Sequence, residues 1–323
     1  MVILSEWGRL RHHRLRGLPM PTMNTATRRV LILCCLLLSW ALPINAQKVR
    51  DQVGRQIRVP ANPRRVIALA PSLTEIVFDL GEGARLVGVT QFSDSPSEAK
   101  SLPRVGSYVR LDLERIVGLS PDLCLGIRDG NPGYQVERIE AAGIPVYVTD
   151  PRDIKGIMAA IRGVGVVLGV PAKAAALNAE MAGHIERVRQ QVASTLYRPR
   201  VFFQVDASPL ITAGSNTLIN ELISLAGGIN LGAGPQDYPR FSWEQVLALN
   251  PEVVLISSMA GGHDSEQLKD QWRQWSQLSA VRSDRIHVVD AELFDRPTPR
   301  LLNGLETLVR IIHPELFEAA HGR

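Results

Sequence analysis

Apolar residues along this chain alternate between two rhythms. Short β-rich runs are bounded by Gly, Pro or Asp, and longer runs carry apolar positions three and four apart. In the first half this predicts a strand over 65–70, a helix over 71–81 and a strand over 85–90. A short helix in DLERIVGLS, a strand in DLCLGI, a helix over 134–143 and a strand in IPVYVT follow. Ser72 stands where it caps the first helix, Glu75 where it completes a capping box, and Gly81 and Gly143 where they end helices. The second half has a strand over 200–206, a capped helix over 215–228, a helix in SWEQVLALN and a strand in EVVLIS. A Trp-bearing helix over 265–277, a strand over 285–290 and a helix from near Thr298 to just before His313 complete it. Strands alternating with helices predict an α/β fold with mostly parallel sheets covered on both faces.

One phrase is written twice. LDLERIVGLSPDLCLGI occupies 111–127 and FSWEQVLALNPEVVLIS occupies 241–257; Glu114 and Glu244 are 130 residues apart, as are Pro121 and Pro251. Two copies are too few for a solenoid, so they predict one helix–strand unit in each of two pseudo-symmetric lobes. Between them, Pro171 suits a first helical turn, and Leu177, Met181, Ile185, Val188 and Val192 recur on one face. A helix of about 23 residues spans roughly 35 Å. The expected organisation is a signal region over 1–46, an N-terminal lobe over 47–170, a connecting helix over 171–195 and a C-terminal lobe over 196–323. A rigid connector leaves a cleft between the lobes and little hinge motion.

Charge changes the picture once the N-terminus is set apart. The chain of 323 residues carries a net charge of +4, but six of its 36 basic and one of its 32 acidic side chains lie in residues 1–46. The remaining 30 basic and 31 acidic groups nearly cancel, so the basic excess that would suggest a nucleic-acid partner disappears. The same segment reads as an export signal: Arg28 and Arg29, then apolar residues from Val30 to Leu42 broken only by Ser39, then Asn45-Ala46 before Gln47. That apolar run is shorter than the about 20 residues of a membrane span. Translation starting at Met20 or Met23 would suit such a signal, and an uncleaved anchor is the alternative. A periplasmic chain released near Gln47 keeps only Cys124, which sits in an apolar run, so it has no internal disulfide and its thiol reads as buried; the chain is expected to be a monomer.

Catalytic and nucleotide motifs are missing: there is no G-x-S-x-G, G-x-x-x-x-G-K-[ST] or H-E-x-x-H, and GEGARL lacks the third glycine of a dinucleotide fingerprint. His184, His263, His287, His313 and His321 have no metal-ligand spacing and are expected at the surface. This favours a binding protein without metal, cofactor or catalysis. The rival is an α/β enzyme acting in the cleft, which would need a convergent acid, base or metal. Ligands in α/β proteins sit in loops after strands. Here such loops carry Phe92, Tyr108, Tyr238 and ELFDRPTPR at 292–300. Tyr108 and Tyr238 each precede a repeated glutamate by six residues. They either pack locally or hold a flat ligand between the lobes. Glu114 and Glu244, in the first turns of their helices, are favoured there by the helix dipole, beside the caps Asp112 and Ser242.

These pieces carry a resemblance. RVIALAPSLTEIVFDLG, GSYVRLDLERIVGLSPDL, the RDGN turn at 128–131, SWEQVLALNPEVV and FDRPTPRLL resemble the periplasmic cobalamin-binding proteins of bacterial ABC importers, the BtuF family, over nearly all of residues 64–312. The resemblance implies two α/β lobes joined by a helix, with the transported ligand in the cleft. It implies that Phe92, Tyr108, Ile127, Ile211, Tyr238, Glu292 and Arg296 surround a cobalamin or related corrinoid. Where that family has tryptophans this chain has Tyr108, Ile127 and Tyr238, and Glu292 replaces its usual Asp. The resemblance further implies that Glu114 and Glu244 dock onto Arg clusters of a two-fold ABC permease–ATPase complex. Haem and ferric siderophores are the alternative ligands.

Overall fold

The computed structural model describes residues 46–257 and 265–318. The expected export segment through Asn45, and His263 and His321, lie outside the described residues. A hairpin that apolar spacing did not predict comes first, pairing β1 (Ala46–Arg50) with β2 (Gln56–Pro60). Next come β3 (Val66–Ala68), α1 (Pro71–Asp79), β4 (Leu86–Val89), the short strands β5 (Gly106–Ser107) and β6 (Arg110–Leu111), and α2 (Leu113–Gly118). β7 (Leu123–Ile127), α3 (Gly133–Ala141), β8 (Val146–Thr149) and α4 (Ile154–Val167) complete the first half. The connector α5 (Pro171–Ala193) leads to β9 (Arg200–Ala207), β10 (Leu210–Thr212), α6 (Leu218–Leu225), β11 (Ile229–Asn230), α7 (Trp243–Leu249) and β12 (Val253–Ser257). The chain continues through α8 (Ser265–Arg273), α9 (Ser279–Arg282), β13 (Ile286–Val289), α10 (Glu292–Asp295), α11 (Leu301–Ile312) and α12 (Glu315–Glu318).

The first sheet has the order β4-β3-β7-β8, all parallel. The second has the order β10-β9-β12-β13 with β11 beside β9, parallel except for the edge strand β10. Side chains alternate across each sheet as strand geometry requires. Val66 and Ala68 of β3 and Val201 and Phe203 of β9 face one shared apolar cluster. Ile67 and Leu69 face a separate outer cluster with Cys124, and Phe202 faces another with Trp272.

The two halves therefore share a core, and α5 is its common wall. Ala174, Asn178, Met181, Ile185, Val188 and Val192 form its buried stripe at steps of four, three, four, three and four. Leu177, expected in that stripe, is only partly buried; Asn178 takes the place and donates from Nδ2 to the Met158 carbonyl at 2.8 Å. α4 was missed because its run IKGIMAAIRGVGVV is rich in glycine, a poor helix former. A Cβ on Gly165 would meet the Ala174 Cβ at 2.4 Å, so the glycine lets α4 approach α5 closely.

Two local expectations are corrected. α1 begins at Pro71, with Ala70 as an uncapped N-cap residue, so Ser72 lies inside the helix and no capping box with Glu75 forms. Pro at a first helical position accounts for the shift. The described histidines are not surface groups: His184 and His287 are partly buried. His313 is buried, with Nδ1 2.8 Å from Glu315 Oε1.

Candidate ligand-binding site

At the carboxyl ends of the parallel strands lies a cavity of about 630 Å3, lined from both halves. Ala70-Pro71-Ser72 after β3, Phe92 after β4, Tyr108 between β5 and β6, Ile127 at the end of β7 and Asp129 after it form one side. Asp290 to Glu292 and Asp295 to Pro297, after β13, form the other. Of the residues expected around a ligand, Phe92, Tyr108, Ile127, Glu292 and Arg296 come together here. Phe92 is 51% and Tyr108 37% exposed, so both present apolar surface to the opening. Ile211 and Tyr238 lie outside this lining. Ile211 is partly buried on β10, bridged to Arg240. Tyr238 is 57% exposed. Its hydroxyl pKa is raised by partial burial and then by Asp295, Asp237 and Asp129, so it stands close to carboxylates of both halves. The two tyrosines thus match in sequence but not in relation to the cavity.

The RDGN turn builds the Tyr108 side. Asn131 is buried; its Oδ1 accepts from Ile127 N at 2.8 Å, and its Nδ2 donates to the carbonyls of Leu69 at 2.9 Å and Tyr108 at 2.8 Å. One amide thereby ties the ends of β3 and β7 to the tyrosine backbone. A Cβ on Gly130 would lie 3.0 Å from the Tyr108 ring and 3.1 Å from Ile127, so the glycine lets the turn and that ring approach closely. The Phe92 loop is fixed by buried hydroxyls: Thr74 donates to Ser93 Oγ at 3.0 Å, and Ser93 and Thr90 share a second bond of 3.0 Å.

Beneath the opening a carboxylate joins the halves. Glu75, on α1, has only 3% of its side chain exposed. Its Oε1 accepts from Arg296 Nη1 at 2.9 Å and Arg300 Nη1 at 3.2 Å, and its Oε2 accepts from Thr298 Oγ1 at 3.0 Å. Arg296 also donates to Asp94 Oδ1 at 3.2 Å and Glu292 Oε1 at 2.8 Å. Glu75, Asp94, Thr298 and Arg300 were missed by sequence reasoning. The available signal was an acid set among the apolar residues Leu73, Ile76 and Val77. Burial pushes the Asp295 carboxyl up to about 6, against the pull of Arg296 and with a push from Asp290. Burial and then Glu75 likewise push Asp79 up to about 6, against Arg300.

Glu114 and Glu244 are exposed in the first turns of α2 and α7. Neither caps its helix. Asp112 accepts from Arg115 N, and Ser242 forms a reciprocal capping box with Gln245. Ser242 and the backbone amide of Glu244 hold the Glu244 carboxyl below its usual range. Among the described residues no group of three or more His, Cys, Asp or Glu could hold a metal ion, and no helix is long and apolar enough to cross a membrane.

Comparison with known proteins places this cleft in context. A vitamin B12-binding protein of Photorhabdus laumondii is 33% identical over 249 residues, covering 77% of this chain and 87% of its own. The crystal structure of the periplasmic vitamin B12 binding protein BtuF of Vibrio cholerae superposes with a TM-score of 0.66 at 30% identity, covering 80% of this chain and 98% of that one. The periplasmic heme-binding protein BhuT in complex with two hemes superposes with a TM-score of 0.70 at 30% identity, covering 78% and 98%. The periplasmic binding protein family matches residues 66–293, spanning both large sheets, the connector and most of the cleft lining, and the chain belongs to that family.

Proposed function

We propose that this protein is the substrate-binding component of an ABC importer, carrying a cobalamin-type corrinoid in the cleft between its halves. The observation that carries this reading is the convergence of Phe92, Tyr108, Ile127, Glu292 and Arg296 on one cavity built from strand-end loops of both halves. Aromatic and aliphatic faces suit a flat macrocycle, and carboxylates suit the amide N–H groups around a corrin ring. The shared core across α5 supports capture with little closure. Glu114 and Glu244, exposed and repeated, supply the contacts to a permease. The same fold holds haem in a solved relative, which makes haem the second reading.

Titration of the purified protein with cyanocobalamin and haem, by absorbance and calorimetry, tests the ligand. Removing an aromatic wall costs about 1–3 kcal/mol, so Tyr108→Ala should weaken corrinoid binding roughly 5- to 100-fold. Tyr238→Ala, outside the cavity lining, should cost less. A Tyr108→Ala protein with wild-type affinity would overturn the placement.

Export brings the protein to the compartment its family name describes. N-terminal sequencing of the exported form should read from at or near Gln47; a soluble form retaining Val30 to Leu42 contradicts cleavage.

A further inference from the structure

The charge in the cleft is one-sided. Asp129 from the first half and Asp290, Glu292 and Asp295 from the second line it, against a single guanidinium, that of Arg296. That guanidinium is engaged by Glu75 at 2.9 Å, Glu292 at 2.8 Å and Asp94 at 3.2 Å. Arg300 is engaged by Glu75 at 3.2 Å and Glu292 at 3.4 Å, and Arg128, next to Asp129 in the chain, by Asp150 at 2.9 Å. No arginine of the cavity lining is therefore left unpaired for an incoming anion. Asp129, Asp290 and Asp295 form no ion pair among the described residues; Asp129 and Asp290 are exposed, and Asp295 keeps exposed surface although its carboxyl is partly desolvated. The Tyr238 hydroxyl holds its proton more tightly, first through partial burial and then through Asp295, Asp237 and Asp129.

We infer that Asp129, Asp290 and Asp295 make this cleft select by charge, admitting a neutral or cationic amide-bearing tetrapyrrole and disfavouring one that carries free carboxylates. This rests on the proposed corrinoid-carrier function and names the feature that separates it from the haem reading. The two macrocycles present similar flat faces to Phe92 and Tyr108. They differ at the rim, where a corrin carries amides and haem carries two propionates. Aspartates outside any ion pair accept hydrogen bonds from amide N–H groups, whereas a propionate set against them meets like charge with no unpaired arginine in the lining to offset it.

The test titrates wild type and the Asp129→Asn/Asp295→Asn variant with cyanocobalamin, cationic aquacobalamin and haem, each at low and high salt. Asp290→Asn provides a second, independent variant. Wild type should bind both cobalamins more tightly than haem, and salt should strengthen haem binding by screening the repulsion. In the double variant the ratio of haem to cyanocobalamin affinity should rise roughly tenfold or more, equivalent to about 1.4 kcal/mol, and the salt effect on haem should flatten. A purely structural role for the aspartates would not change the salt dependence. If cyanocobalamin still binds but the affinity ratio and salt dependence are unchanged in both variants, charge selection is overturned. If wild type binds haem and not cyanocobalamin, the corrinoid-carrier function falls as well.

Discussion

Glu75→Ala should destabilise the protein by about 3–5 kcal/mol, the usual result of removing one member of a buried ion pair. The carboxylate is nearly inaccessible, and Arg296, with 15% of its side chain exposed, loses its shortest contact to the first half. Arg300 and Thr298 lose a partner together with it. A melting temperature lower by roughly 10 °C is the expected readout at this chain size. Glu75→Gln, which keeps an acceptor for Thr298, should recover part of the loss. A shift of less than about 2 °C for the alanine variant would mean that the shared core alone holds the halves together.

A pH series adds a second reading. The Asp79 carboxyl, raised from 3.8 to about 6, binds a proton in the folded protein that the unfolded chain releases. Its contribution to stability is fully present below 3.8 and is lost as pH rises through about 6. In Glu75→Ala the neighbouring charge that helps raise this pKa is gone. The stability gained on acidification from pH 7 to 5 should therefore shrink.

The second large effect is on uptake. Glu114→Gln combined with Glu244→Gln should leave ligand affinity at the wild-type level, because neither residue lines the cavity. Losing one member of a desolvated interfacial ion pair costs about 2–5 kcal/mol. Two such losses should suppress permease binding and transport by several orders of magnitude, whereas rim contacts would show chiefly as slower association and greater salt dependence. The caps remain in place at Asp112 and Ser242, so the melting temperature should fall only slightly. Intact permease binding beside a clear loss of thermal stability would reduce the two glutamates to helix-end charges.

Both predictions concern acids on short helices, and the sequence treats them differently. Glu114 and Glu244 are legible because their setting is local. A cap two residues earlier, an apolar helix and a following strand recur at the same spacing, and those features depend on neighbours within a few residues. Glu75 was misread for the same reason. Its local setting, S-x-x-E before an apolar run, is that of a capping box. Its actual partner Arg296 is 221 residues away.

Local periodicity by itself determined most of the alternating strands and helices, the repeated unit and the connecting helix, because each depends on spacing within one segment; the first hairpin and the glycine-rich α4 escaped it. The family resemblance pointed to the strand-end loops that carry Phe92, Tyr108, Ile127, Glu292 and Arg296, since parallel sheets place such loops together. Only the tertiary structure decided that one core joins the halves through α5, that Asn178 replaces Leu177 in its stripe, and that Arg296 is engaged by Glu75. It also decided that Tyr238, the sequence counterpart of Tyr108, lies outside the cavity lining. The physical reason is that burial and charge pairing depend on which distant segments meet, and two halves with the same local pattern can turn equivalent residues toward different surroundings.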